Sequence, residues 1–286
     1  MSAFFLDIYR KNIASNIEIS VYEKNVINQL IRHANPSLTP LEQMWSMMDR
    51  VWQEFDCDNL NPTPEKLSLF YSHPVWLLNG FFIESDPVSM SHRVSIADWI
   101  EARHKKGHIM SVLDFGGGFG TLALEIAKRN HDCKVVIFEP FPTQFALSRT
   151  AVYKNISWST ALNPDTFSCI VSTDVLEHDI TPLHLLKTMV SALHIRGFLV
   201  IANNFTPCIK CHLPVTFYLQ RTFNLAALTS GLHFIGPCKG SHANIFQKTR
   251  IAPFFSTGVI ESLCRAIAPA IDSAASLKRA IKRVLS

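Results

Sequence analysis

The stretch SVLDFGGGFG, Ser111–Gly120, carries an aspartate and then four glycines in five positions. Glycines at 116, 118 and 120, with Gly117 among them, would let the chain turn sharply, and their missing Cβ atoms would let a ligand lie directly on the backbone. Some twenty residues on, VVIFEP, Val135–Pro140, closes on Glu139 and Pro140. A carboxylate at that strand end can accept hydrogen bonds from both hydroxyls of a ribose. GFGTLA, Gly118–Ala123, also fits the G-x-G-x-x-A dinucleotide form. Asp114 argues against that ligand, because a carboxylate two residues before the first glycine repels a diphosphate and attracts an ammonium or sulfonium group. The two acids together describe a cationic, ribose-bearing cofactor.

A second set of reactive residues lies farther along. FSCIVSTDVLEH, Phe167–His178, ends on Asp174, Glu177 and His178; His212 closes CIKCH, and His242 closes CKGSH. Each histidine follows an expected strand, at the carboxyl edge where open α/β sheets place ligands, and each could serve as a general base. His178 ranks first, since Asp174 and Glu177 are near enough in sequence to raise its pKa and orient it. CIKCH formally matches a haem-attachment pattern and half a zinc site, but further ligands at suitable spacing are missing. It reads as a substrate loop containing two thiols.

These residues need a scaffold. From Met110 short apolar runs alternate with amphipathic helices, which is the pattern of βαβ units around a parallel sheet. Strands are expected at 111–115, 134–138, 156–159, 169–173 and 198–202. Helices are expected at 121–130, 142–153 and 182–193. A helix near 223–230 then leads to an antiparallel pair, 233–237 and 243–247, joined by a hairpin turn at CKGSH. Residues 1–105 read as a helical accessory segment with Pro-rich interruptions; Thr63 is placed to cap a helix whose first residue is Pro64. Aromatics beside His73, His92 and Arg93 make part of this segment a candidate lid or acceptor platform. Residues 106–250 form the cofactor domain and 251–286 a basic amphipathic helix interrupted by Pro269.

VLDFGGGFG and VVIFEP resemble the first two motifs of the class I S-adenosylmethionine-dependent methyltransferases. The D-x-G-x-G-x-G core falls on Asp114, Gly116, Gly118 and Gly120, and the ribose acid on Glu139. FSCIVSTDVLEH and GFLVIANN are similar to the family's fourth and fifth strands, so the likeness runs from about Ile109 to Lys248. It implies an α/β fold with a Rossmann-like, mostly parallel sheet closed by an antiparallel hairpin, preceded by the helical segment. It also implies S-adenosylmethionine over Gly116–Gly120, with Asp174 close to the reacting methyl. STALN lacks the acid that often holds the adenine amino group, so adenine falls to Ala161, Leu162 and main-chain groups. Some members chelate magnesium with carboxylates after the fourth and fifth strands. Here Asn203 and Asn204 stand at the second place, one hard anionic ligand is thin for a divalent cation, and no metal is expected. The general likeness extends to stand-alone methyltransferases of bacterial surface-polysaccharide biosynthesis, which implies O-methylation of a sugar or glycan. The alternatives are a secondary metabolite or quinone-like ring, or a catalytically silent partner protein.

Composition narrows the setting. The chain has 286 residues, 48% of them hydrophobic, enough for a full core. Its net charge is +4, and residues 261–286 hold five basic against two acidic side chains, leaving a nearly neutral body. A nucleic-acid enzyme would show a basic face there, so a small-molecule or glycan acceptor is expected and nucleic acid is not. The basic tail suits peripheral contact with an anionic membrane. Seven cysteines at irregular spacing read as reduced thiols, and the absence of a leader-like start as a cytoplasmic protein.

Overall fold

The structure, a computed structural model, describes residues 2–249 and 256–285, with side chains described as far as Ile271. Seven strands form one sheet: β1 (Ser111–Phe115), β2 (Lys134–Phe138), β3 (Ile156–Ser159), β4 (Phe167–Thr173), β5 (Leu193–Ala202), β6 (Leu232–Pro237) and β7 (Asn244–Lys248). Their order is β3-β2-β1-β4-β5-β7-β6; β1 to β5 are parallel, and β7 runs antiparallel to both β5 and β6. The order reverses beside β1, which opens a crevice at the carboxyl ends of β1 and β4. The expected Rossmann-like sheet with a terminal hairpin is therefore present.

Alternation within the strands explains the layers. Val112, Val135, Ile137, Val171 and Val200 point to one face, while Leu113, Val136, Ile170 and Leu199 point to the other. Three helices separate the parallel strands: α7 (Thr121–Arg129), α8 (Gln144–Thr150) and α9 (Pro182–Ala192). The second face is covered by α9, α10 (Leu219–Thr229) and the start of α11 (Thr257–Leu285). β5 begins earlier than its apolar run suggests, because Arg196, at φ 67°, and Gly197 form an irregularity through which Leu193 still pairs with Phe167.

The first part of the chain folds as α1 (Ala3–Ile8), α2 (Val21–Arg32), α3 (Pro40–Glu54), α4 (Pro64–Tyr71), α5 (Val75–Ser85) and α6 (Pro87–His104). Capping boxes start α2 (Ser20 with Glu23) and α3 (Thr39 with Glu42). Thr63 does precede α4, with Pro64 in first place, but its side chain makes no capping bond. Helices α1 to α5 share a core of their own that also takes in Ile209, Cys211 and Leu213 from the loop after β5. In contrast, α6 buries Ile96, Ala97 and Ile100 against Ile126 and Val135, so the packing of the sheet domain begins at α6.

Pro269 does not interrupt the last helix. It lies on the exposed side of α11, and the helix continues through it while Ile260, Cys264 and Ala268, one turn apart, are buried along the inward face of the turns leading up to it. The side chains of Ala274, Leu277, Lys278, Arg279, Ile281, Lys282, Arg283 and Leu285, on which the membrane reading rests, lie outside the described residues. Among the described residues, no helix is long and apolar enough to cross a membrane.

Candidate active site

The glycine turn is built for an approach to its backbone. Gly116, Gly118 and Gly120 adopt φ of 72°, 47° and 79°, left-handed values that side chains disfavour. A Cβ on Gly116 would overlap Val175, so the turn rests against the residue after Asp174. Gly117 is equally closed, against Ile137 and Asp114. Gly118 is different: its Cβ direction is open, with nothing nearer than the Gly116 carbonyl at 3.9 Å and Glu139 Oε2 at 4.0 Å. Glu139 accepts the Gly118 N–H through Oε2 and the Phe141 N–H through Oε1, both at 3.0 Å. Burial pushes its carboxyl above the usual range despite these bonds. An open backbone position beside a carboxylate already lined with donors is what a ribose-bearing ligand requires, so these residues fit S-adenosylmethionine.

Asp114 takes a different position from the one its sequence context suggests. Its carboxylate is buried, and Oδ2 accepts the Ala123 N–H at 3.1 Å, bracing the first turn of α7. Burial pushes it up to about 7, against the opposing effects of Arg93 and the Ala123 bond. Arg93, on α6, donates to the Ser89 carbonyl at 2.9 Å, and its charge faces Asp174, Asp114, Glu84 and Asp86. Ala161 is exposed, and its N–H and carbonyl both bond Ser159 Oγ, while Leu162 packs against the core. Pro140 is exposed beside Glu139.

Asp174, His178, His212 and His242 converge on the carboxyl edge of the sheet. Asp174 has φ 56°, and its side chain remains 42% exposed on the cleft floor. Surrounding protein partly desolvates it, yet the His242 bond at 3.4 Å and the Arg93 charge hold its carboxyl below the usual range. His242 Nδ1 lies 2.9 Å from His92 Nδ1. The pair meets because the hairpin turn sits on α6, where Gly240 has no room for a Cβ beside Ser95. With Asp174 ionised, His242 donates through Nε2 and its Nδ1 accepts the hydrogen bond of His92 Nδ1–H, which leaves the free lone pair on His92 Nε2.

His178 is not raised by its acidic neighbours as the sequence suggests. Burial, with His212 beside it, lowers it to about 4. Its orientation comes from the Cys211 carbonyl, which accepts its Nδ1–H at 3.0 Å. His212 donates from Nδ1 to the Thr206 carbonyl at 2.8 Å, and the two rings stand 5.0 Å apart, edge to face. Glu177 is wholly buried and pushed up to about 8 by that burial and by Asp174. The two thiols of CIKCH serve different surroundings: Cys208 meets Thr206 and Asn204, while Cys211 is buried in the helical core. Lys210 N–H donates to Asp49 on α3 at 2.7 Å, which ties this loop to the accessory helices.

Those helices line the site. Tyr71 stacks on Phe141, and both Tyr71 and Trp76 set ring edges against His178 at 6.2 Å between centroids. Tyr71 Oη and Trp76 Nε1 are buried without a hydrogen-bond partner among the described residues. Sequence reasoning singled out this aromatic stretch and Arg93, but not Tyr71 against His178, the His92–His242 pair or Glu177 as a neighbour of His212. Each depends on contacts spanning 35 to 150 positions, which no local spacing signals.

A family model described as a methyltransferase domain matches residues 90–251. No curated protein matches the chain. Human N-acetylserotonin methyltransferase in complex with S-adenosylmethionine is similar in fold, 14% identical with a TM-score of 0.50 over 84% of this chain and 74% of that one. Phosphoethanolamine N-methyltransferase 1 of Haemonchus contortus is 12% identical, with a TM-score of 0.52 over 74% and 56% of the two chains. A Nostoc punctiforme protein assigned as an O-methyltransferase is 14% identical, with a TM-score of 0.47; the match spans 62% of this chain and 61% of that one.

Proposed function

Because this chain belongs to the methyltransferase-domain family of S-adenosylmethionine-dependent enzymes, we propose that it methylates a hydroxyl of a sugar or glycan, in a pathway of surface-polysaccharide biosynthesis. The observation that carries the O-methyl reading is the Asp174–His242–His92 chain at the mouth of the glycine turn. A hydroxyl must lose its proton as it is methylated, so it needs a base beside the reacting carbon. Bound over the turn, the cofactor supplies an electrophilic methyl on a sulfonium. The protein's part is alignment, exclusion of water and removal of the proton.

Each residue then has a task. Glu139 holds the ribose and Gly118 leaves room for the ligand to reach its backbone. Arg93, a half-buried cation among four acids, is placed for the cofactor's carboxylate. His92 Nε2 takes the proton, His242 passes its orientation to His92, and Asp174 keeps His242 in the required tautomer. Support for a polyhydroxy acceptor comes from Tyr71 and Trp76, aromatic faces whose polar atoms lack partners and could pair with hydroxyl groups. The nearly neutral body agrees with such an acceptor, and the basic tail suits one carried on an anionic membrane surface. Transfer of labelled methyl groups to nucleotide sugars and lipid-linked glycans tests the reading: we expect a product stable to mild base, as an ether is, and turnover reduced at least about a hundredfold in His242→Asn. An N-methylated product, or full turnover in that variant, would remove it.

A further inference from the structure

Glu177, His178 and His212 each offer a ligand atom within 4.8 Å of the others. They reach one point from two elements: the short turn after β4 carries the first two, and the loop after β5 folds His212 back beneath them. Both rings are locked from behind, because each spends its Nδ1–H on a main-chain carbonyl, Cys211 for His178 and Thr206 for His212. A neutral imidazole so held keeps its lone pair on Nε2. Proteins orient metal-ligating histidines in this way, fixing tautomer and ring direction with an outer hydrogen bond.

Glu177 adds an independent sign. It is 0% exposed; Oε1 accepts the Asn204 N–H at 2.6 Å, but Oε2 has no hydrogen-bond partner among the described residues. A buried carboxylate oxygen left bare is costly, and such atoms call for an explanation. Two nitrogen lone pairs and a bare carboxylate oxygen gathered in one cluster are a donor set suited to a cation.

We propose that Glu177, His178 and His212 bind a single divalent transition ion beside the acceptor site. The N₂O donor set favours an ion of the zinc, cobalt or nickel type over magnesium or calcium, which prefer oxygen alone. Three protein ligands leave a coordination position open, as catalytic rather than structural sites do. The role of the ion rests on the methyl-transfer reading: an acceptor hydroxyl taking the open position becomes more acidic. Its O–H bond breaks and the proton passes to His92 Nε2; the oxygen lone pair forms the new bond to the methyl carbon. The electron pair of the broken carbon–sulfur bond stays on sulfur, which leaves as a neutral thioether. The sequence expectation of no metal looked for a second carboxylate at Asn203 and Asn204. The site proposed here uses nitrogen ligands and Glu177, three residues after Asp174.

The test is titration of metal-stripped protein with Co²⁺, followed by visible absorption, in the wild type and in Glu177→Gln, His178→Ala and His212→Ala. Binding of S-adenosylhomocysteine by the same samples checks the fold. We expect ligand-field bands at one equivalent in the wild type and affinity lowered more than about tenfold in each variant. A wild type that binds S-adenosylhomocysteine but shows no bands overturns the metal site and leaves the methyl-transfer reading standing. Bands unchanged in Glu177→Gln and His212→Ala overturn it too. A wild type that shows the bands but does not bind S-adenosylhomocysteine keeps the ion site and removes the reading of its role.

Discussion

In the proposed reading Gly118 and Glu139 serve the cofactor, one through an open face of backbone and the other through a carboxylate that two main-chain N–H groups hold in place. Gly118→Ala would fill the open face and strain a backbone at φ 47°, so it should weaken S-adenosylhomocysteine more than it lowers the unfolding temperature. Equal losses in the two measurements would contradict that. Histidines govern the response to acid. Burial lowers His73 to about 4, and its Nδ1 accepts the Val75 N–H at the start of α5. Between its unfolded value of about 6.5 and 4 the unfolded chain binds the extra proton, so this contribution to stability is present above 6.5 and lost as pH falls through that window. The unfolding temperature, measured from pH 7 to 4, should therefore fall less in His73→Asn; an unchanged slope would count against it. The acidic glycine turn and its ribose acid were legible in the sequence because each is a local motif. The reversed shift of His178 was not, since it depends on Tyr71, Trp76 and His212 packing around the ring.

Helix α5 joins the accessory segment to the cofactor turn. Gly80 lets Phe119 lie against the helix; Phe119 in turn stacks on Phe145 beneath the Arg149 guanidinium, and Arg149 pairs with Glu84 at 2.6 Å. Gly80→Ala should cost about 1–3 kcal/mol by overpacking and should also weaken the cofactor, because Phe119 is part of the turn. Denaturant unfolding with a ligand titration checks both; destabilisation with unchanged affinity would mean that α5 does not brace the site. The strands were legible to within a few residues, since each is a short Val- and Ile-rich run between turn residues. The beginning of β5 and the unbroken course of α11 were not, because the first depends on pairing with Phe167 and the second on the burial of Ile260, Cys264 and Ala268 in the turns before Pro269.

The molecule draws its cofactor turn, its acid–histidine edge and its aromatic wall from widely separated stretches of chain, brought together by one sheet edge and the helices docked on it. The tail contributes differently along its length. Ile260 and Cys264 are buried in the domain core, so Ile260→Ala should cost about 2–5 kcal/mol, whereas removing residues 272–286 should leave unfolding nearly unchanged and abolish sedimentation with anionic vesicles. Truncated protein that still sediments would rule out the membrane role of the helix. The account rests most directly on the cofactor turn, and the measurement that tests it is calorimetric titration of wild-type and Glu139→Ala protein with S-adenosylhomocysteine, alongside NADH. The prediction is one site in the wild type, an affinity lower by about 10–100-fold in the variant as charged hydrogen bonds to the ribose are lost, and no binding of NADH. Saturable NADH binding, or an adenosyl affinity that ignores Glu139, would contradict it.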